Sequence, residues 1–438
     1  MPSQRIKAGA ARAIISPPRG IFLVGYGDRS KGNKGIHDDL TATALVLDNG
    51  TEKIAIVAVD ILCLNEFIVD RVRARCPGIQ PVLCCSHTHS GPIGYAGDRS
   101  GRREKEYINS LVESLAEVIR EAAQTAREAE LMWGESSADI AVNRREKLPG
   151  GEVIIGEDPE GVVDRSVGVL SVKVDGIQLA TVVNFACHGT IWGPDNLLVS
   201  ADWIAAMRGK VEEGLGGLCL FLQGAAGNLN PKMGWGREDC WDMAVNQGRR
   251  VADAVMRAAG NRQAMISGSE LELIRQEEWV PFEGEATTEK PPTVYRKRIL
   301  KMANFPEWMS FATDYLLNIR YPWKPRLEAR DRRWGTFLRI NTARVGSLAL
   351  VTFGAEVFTE IGLKVKVLSP AQHTMFASVT DGCISYLPTD AAHSDGGYEV
   401  ELATYAYRYP GPLAEGAEGR AVGAADETLQ DLWKKEQP

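Results

Sequence analysis

Histidine is scarce in this chain, with six among 438 residues. Where histidines sit close together, the placement therefore carries information. Cysteine is sparse too: eight residues, with no Cys-x-x-Cys pair. That excludes the usual thiolate zinc sites and gives no disulfide framework. Cys84 and Cys85 adjoin in an apolar run, where their side chains would face opposite sides of a strand. Cys63, Cys187 and Cys219 also sit in apolar runs and read as small buried hydrophobes. No stretch approaches the ~20 apolar residues of a transmembrane helix, and the first residues lack a signal-peptide apolar core. The expectation is a cytoplasmic protein without stable membrane insertion. Basic residues are in deficit, giving a net charge of -7. This argues against a nucleic-acid surface and leaves a small-molecule substrate as the expected partner. A homo-oligomer is compatible with the composition. There is no His-Glu-x-x-His and no internal sequence repeat.

What is present is an α/β pattern. Lys53–Val59 reads as a buried strand ending at Asp60, Glu66 to Arg75 as a helix stopped by Pro77-Gly78, and Pro81–Cys85 as the next strand. Glu104 to Glu130 is helical in period. Gly168 to Phe185 forms a hairpin about Asp175-Gly176. Helices are expected over 201–215, 239–259 and 356–368, and strands over 218–223, 337–340, 348–353 and 375–379. A terminal surface helix closes the chain. The expected fold is a layered mixed β-sheet core flanked by helices, forming one domain over 1–438. Residues 275–335, rich in Trp, Tyr and Phe, read as a lid or a peripheral insertion within it.

Ser86-His87-Thr88-His89-Ser90-Gly91-Pro92 follows the second strand. If the strand continued, residues two apart would share a face and both imidazoles would enter one cleft. Further strand ends carry Asp60, His188, Asn228 with Asn230, Glu356, and Asp381 near Tyr386. Polar groups gathered at one edge of a sheet make a site in α/β folds. Two histidines and a carboxylate suffice for a catalytic zinc, leaving His89 as a ligand or a proton carrier. Other readings stay open: His188 as a core histidine, Glu356 as a carboxylate at a helix start, Asp60 and Asp202 as caps, and His37 as a loop anchor.

Taken in order, several islands resemble the neutral (non-lysosomal) ceramidase family. They are Gly25-Tyr26-Gly27, Gly35 to Ala42, Val59-Asp60, Ser86 to Pro92, Val142-Asn143-Arg144, Ala186 to Thr190, Ser200-Ala201-Asp202, Gln223 to Pro231, Gly354 to Phe358 and Tyr386 to Thr389. The resemblance implies a ceramidase-like catalytic domain and a Zn2+-dependent amidase that cleaves an N-acyl bond with metal-activated water. It places the zinc ligands on His87, His188, Glu356 and Tyr386. His89, Arg144 and Tyr386 take catalytic roles, and His37, Arg144, Asn228 and Asn230 line the substrate pocket. The family pattern Gly-Asp-x-Ser-Pro is here Gly227-Asn228-Leu229-Asn230-Pro231. A carboxamide is neither base nor nucleophile. The expected substrate is therefore smaller and more polar than ceramide. Two rival functions are a metal hydrolase of a lactone, ester or glycosidic bond, and a ligand-binding protein with a degenerate site.

Overall fold

The computed structural model describes residues 6–26, 29, 31–97, 100–232, 240–260, 264–285 and 325–434. The expected α/β class is what it shows, and the chain traces one topology three times. In each pass an antiparallel pair leads into a tight hairpin. A helix then crosses over to a parallel strand, and a second helix follows.

In the first pass Lys7–Ile14 pairs with Thr41–Asp48, Thr41–Asp48 with Lys53–Val59, and Lys53–Val59 runs parallel to Gln80–Cys85. Helix Glu66–Arg73 makes the crossover and Arg102–Gln124 follows. The second pass uses Glu130–Ser137, Ser166–Val174, Ile177–Phe185 and Leu218–Gln223. Its helices are Trp203–Leu215 and Cys240–Gly260. The third uses Leu271–Pro281, Arg333–Val345, Leu348–Phe353 and His373–Ala377. Its helices are Thr359–Leu368 and Ala417–Trp433. The turn Asp175-Gly176 takes positive φ at both positions (52° and 75°), as a two-residue hairpin of matching twist requires.

The three sheets meet face to face. Leu45, Ile56 and Val82 of the first, Leu170, Val182 and Leu220 of the second, and Ala343, Leu350 and Met375 of the third share one buried cluster. The opposite faces pack on the helices. The central strands are thus buried on both sides, which explains their unbroken apolar runs. Cys84 belongs to the central cluster and Cys85 to the outer one, as strand alternation demands.

Several boundaries move. Helix Arg102–Gln124 stops short of the expected 130, because Glu130–Ser137 is a strand. Thr359, not Glu356, starts the helix after the third hairpin; Glu356 lies in a short parallel bridge with Tyr386. The terminal helix buries Ala417, Ala421, Ala425 and Leu429 against the third sheet and is no mere surface element. Residues 275–281 and 333–335, at the ends of the aromatic tract, are strand. Its middle, 286–324, lies outside the described residues, and with it the lid reading. No described helix is long and apolar enough to cross a membrane.

Candidate metal centre

The candidate ligands leave the C-terminal ends of strands from all three passes. His87 follows Cys85, His188 follows Phe185, Glu356 follows Phe353, and Tyr386 follows the strand ending at Ala377. Strand alternation is not what aims His87 and His89. The strand stops at Cys85, and His87 adopts a left-handed backbone (φ 61°). Such conformations cost free energy in non-glycine residues and persist where surroundings enforce them. Here the enforcing contacts are visible. Ser86 N–H donates to Val59 O (2.9 Å), His87 N–H to Ile61 O (3.1 Å), and His89 N–H to Gly189 O (3.0 Å). Thr88 and Gly189 form a parallel bridge, so the His87 and His188 segments are stitched together. Trp203, fully buried, donates its indole N–H to His188 O at 2.9 Å. Core packing thereby sets the position of the second histidine.

Both imidazoles are turned the same way. His87 Nδ1–H donates to Leu62 O at 2.8 Å, and His188 Nδ1–H to Leu229 O at 2.9 Å. A carbonyl can only accept, so Nδ1 is the protonated nitrogen and Nε2 points inward. His87 Nε2 lies 3.1 Å and His188 Nε2 3.3 Å from Glu356 Oε2. The ligand atoms of His87, His89 and His188 all fall within 4.8 Å of one another, and all three residues are buried. His89 Nε2 is 3.4 Å from His87 Nε2, while His89 Nδ1 has no hydrogen-bond partner. Gly25 gives His89 its room: a Cβ there would stand 2.4 Å from His89 Nδ1.

The donor set fits a divalent cation. Burial opposes the charge on Glu356, but His87 and His188 outweigh it and hold the carboxyl well below its usual range. Burial, together with the nearby Arg144 charge, pushes His188 down to about 4. With its proton on Nδ1, His188 turns the Nε2 lone pair toward Glu356 Oε2, 3.3 Å away, and no hydrogen bond satisfies it. A cation between those atoms removes that repulsion, and two imidazoles with a carboxylate suit zinc. Burial also drives His89 well down, so its ring is neutral.

Beside this centre lies a second set. Arg144 donates from Nε to Glu399 at 2.8 Å and from Nη1 to Asn230 Oδ1 at 3.2 Å; its Nη2 is buried without a partner. Arg145 binds the other oxygen of Glu399 at 2.8 Å. The Arg144 guanidinium sits over the Tyr386 ring, 5.3 Å from its centroid. Burial opposes its charge, and Tyr386 and Glu399 outweigh that cost. Tyr386 is buried, and burial raises its phenol despite the adjacent arginine. A π-helical turn, Tyr398–Leu402, delivers Glu399 and packs Tyr398 against Tyr386. Such turns recur at functional sites. Tyr407 then donates to Glu356 Oε1 at 2.6 Å. Glu399 and Tyr407 escape sequence reasoning, which sees only a Gly- and Tyr-rich stretch; the pair Gly396-Gly397 before Tyr398 is the one local hint of an unusual backbone.

Two expected pocket residues direct their side chains to other partners, although Asn228 O accepts from Arg144 N–H at 2.9 Å. Asn228 spends its carboxamide on helix 359–368: Oδ1 accepts from Thr359 N–H (2.8 Å) and Nδ2 donates to Glu360 (2.9 Å). His37 is half-exposed, pairs with Asp38 at 2.8 Å, and lies against Trp192 and Trp241, with no contact to the three clustered histidines. Asp202 does cap a helix, through Trp203 N–H at 2.8 Å. Asp60 instead pairs with Arg208 at 2.7 Å and accepts from Thr41.

No family model matches the chain, and no curated protein matches it by sequence. Solved structures do. A crystal structure of neutral ceramidase from Pseudomonas aeruginosa superposes with a TM-score of 0.74 and 21% identity, over 99% of this chain and 75% of that one. A ceramidase complexed with C2 gives a TM-score of 0.74 and 18% identity, over 99% and 76%. The resemblance carried by the sequence islands thus holds in three dimensions: the chain has the neutral ceramidase fold.

Proposed function

We propose that this protein is a zinc-dependent hydrolase that cleaves an amide, N-acyl bond. The observation that supports it most is the convergence of His87 Nε2 and His188 Nε2 on one oxygen of an ionised, buried Glu356. In this reading His87, His188 and Glu356 hold the metal, with Tyr386 as the fourth protein ligand. A bound zinc would polarise the acyl carbonyl and acidify water.

The remaining steps belong to the side chains. Arg144 is clamped by Glu399 and Asn230, and its unpaired Nη2 offers a donor to a polar group of the substrate. His89 is neutral and buried beside the imidazole ligands. It takes a proton at a ring nitrogen and returns it to the leaving amine as the C–N bond breaks. The water oxygen stays on the acyl carbon, so the products are an acid and an amine. Asn230 is committed to Arg144 as an acceptor and supplies no nucleophile. We therefore assign a substrate smaller and more polar than ceramide, handled by a protein of the cytoplasm.

Two measurements test this. Purified protein should carry about one zinc per chain by elemental analysis, and His87→Ala or His188→Ala should abolish both metal and turnover. Soluble N-acyl amides should outperform short-chain ceramide in a substrate panel. Metal-free protein with full activity would sink the mechanism. Robust ceramide turnover would overturn the substrate, and turnover of an ester, lactone or glycoside alone would overturn the amide bond.

A further inference from the structure

The Glu356 carboxylate has two distinct oxygens. Oε2 faces the histidines, at 3.1 Å from His87 and 3.3 Å from His188. Oε1 faces away and accepts the Tyr407 hydroxyl at 2.6 Å. We propose that Tyr407 is a positioning residue: it fixes the rotation of the Glu356 carboxylate, so that one oxygen stays turned toward the imidazoles. The inference rests on the metal reading of that centre.

Three observations support it. Tyr407 is buried, so its hydroxyl does not exchange this partner for water. Cys383 Sγ lies 3.4 Å from the same hydroxyl, with the thiol as donor. A phenol has one hydrogen. With the thiol occupying an acceptor position, that hydrogen is left for Glu356. Finally, the backbone of Glu356 is pinned, its N–H donating to Ser385 O at 2.9 Å, so the freedom left is that of the side chain. The residue sits in a two-residue bridge with Tyr386, before the helix begins at Thr359. The terminal torsion of a glutamate is soft even on a fixed backbone, so an outside contact defines it, and ordered outer contacts of metal ligands typically carry ~10–100-fold in affinity.

The test is a metal competition. Wild type, Tyr407→Phe and Glu399→Gln are titrated with Zn2+ against a chromophoric chelator, and the visible spectrum of each Co2+ form is recorded. Tyr407→Phe keeps the ring and loses only the hydroxyl. It should bind Zn2+ about 10- to 100-fold more weakly, with a changed Co2+ spectrum and an unchanged Tm without metal. Glu399 touches Arg144 and Arg145 and no metal ligand, so Glu399→Gln should keep wild-type affinity. If Tyr407→Phe also lowers the metal-free Tm, the rise in Tm on adding Zn2+ separates binding from folding. Wild-type affinity in Tyr407→Phe overturns the proposal, as does an equal loss in Glu399→Gln. A wild type that binds no metal removes the centre itself, and the wild-type arm shows this before any variant is compared.

Discussion

Two regions of this molecule look alike in sequence and differ in chemistry. One is the His87–His188–Glu356 cluster. The other is the Asp381 node, also at the C-terminal side of a strand and also fully buried. Asp381 accepts from Arg73 (2.6 Å), Asn341 (3.0 Å) and Leu83 N–H (3.0 Å). Both of its carboxylate oxygens are hydrogen-bonded, although Arg73 Nε stays without a partner, and these bonds tie the first sheet to the third. In the histidine cluster, atoms are left over: His188 Nε2 and His89 Nδ1 are buried with no partner, and so is Arg144 Nη2 nearby. Buried polar groups are normally satisfied, so a concentration of unsatisfied ones marks a place built for something else. Position at a strand end is shared by both regions. What stays open separates them: one guanidinium nitrogen at the edge of the node, but neighbouring imidazole nitrogens facing one another in the cluster.

The comparison can be broken by mutation. The largest effect is expected at the open cluster. His188→Ala should cut kcat/KM on the order of 1000-fold or more through lost metal, with little change in the unfolding midpoint of the metal-free protein. The closed node should behave the other way. Asp381→Ala leaves Arg73 and Asn341 without their shared partner and should cost about 3 kcal/mol in denaturant unfolding, while zinc per folded chain is unchanged. Gly25→Ala probes the border. Its new Cβ would collide with His89, and its φ of 105° disfavours any side chain. Activity should fall about tenfold, with a stability loss of about 1 kcal/mol. The smallest effect is expected for Asn228→Ala. It removes an acceptor from the start of helix 359–368 and should cost about 1 kcal/mol, with turnover retained. Lost turnover without lost stability would return Asn228 to the substrate pocket.

Much of this was legible in the chain. The strands were readable because they are buried on both faces and so write continuous apolar runs. His87, His188 and Glu356 were readable as residues because each ends such a run. Their convergence was not readable, since they come from three separate passes of the chain. His87 and His89 do face one cluster, as their spacing predicts, but a left-handed residue and not strand alternation does the turning. Asn228 adjoins the site through its carbonyl, bonded to Arg144 N–H, while its side chain binds the start of helix 359–368. Glu399 and Tyr407 leave no periodic signal, because a π-turn and the turn after helix Ala403–Ala406 carry them, and both are buried by tertiary contact.

The sequence by itself determined the alternation of strands and helices, the buried thiols and the residues able to bind a metal. These depend on local pattern and side-chain chemistry. The threefold recurrence of topology has no counterpart as a sequence repeat, because many different apolar side chains fill equivalent positions equally well. The tertiary structure alone decided which strand-end groups meet, which are saturated and which atoms remain open. Those outcomes depend on distances between segments far apart in the chain, 269 residues for His87 and Glu356 and 308 for Arg73 and Asp381, which only the packing of the three sheets sets.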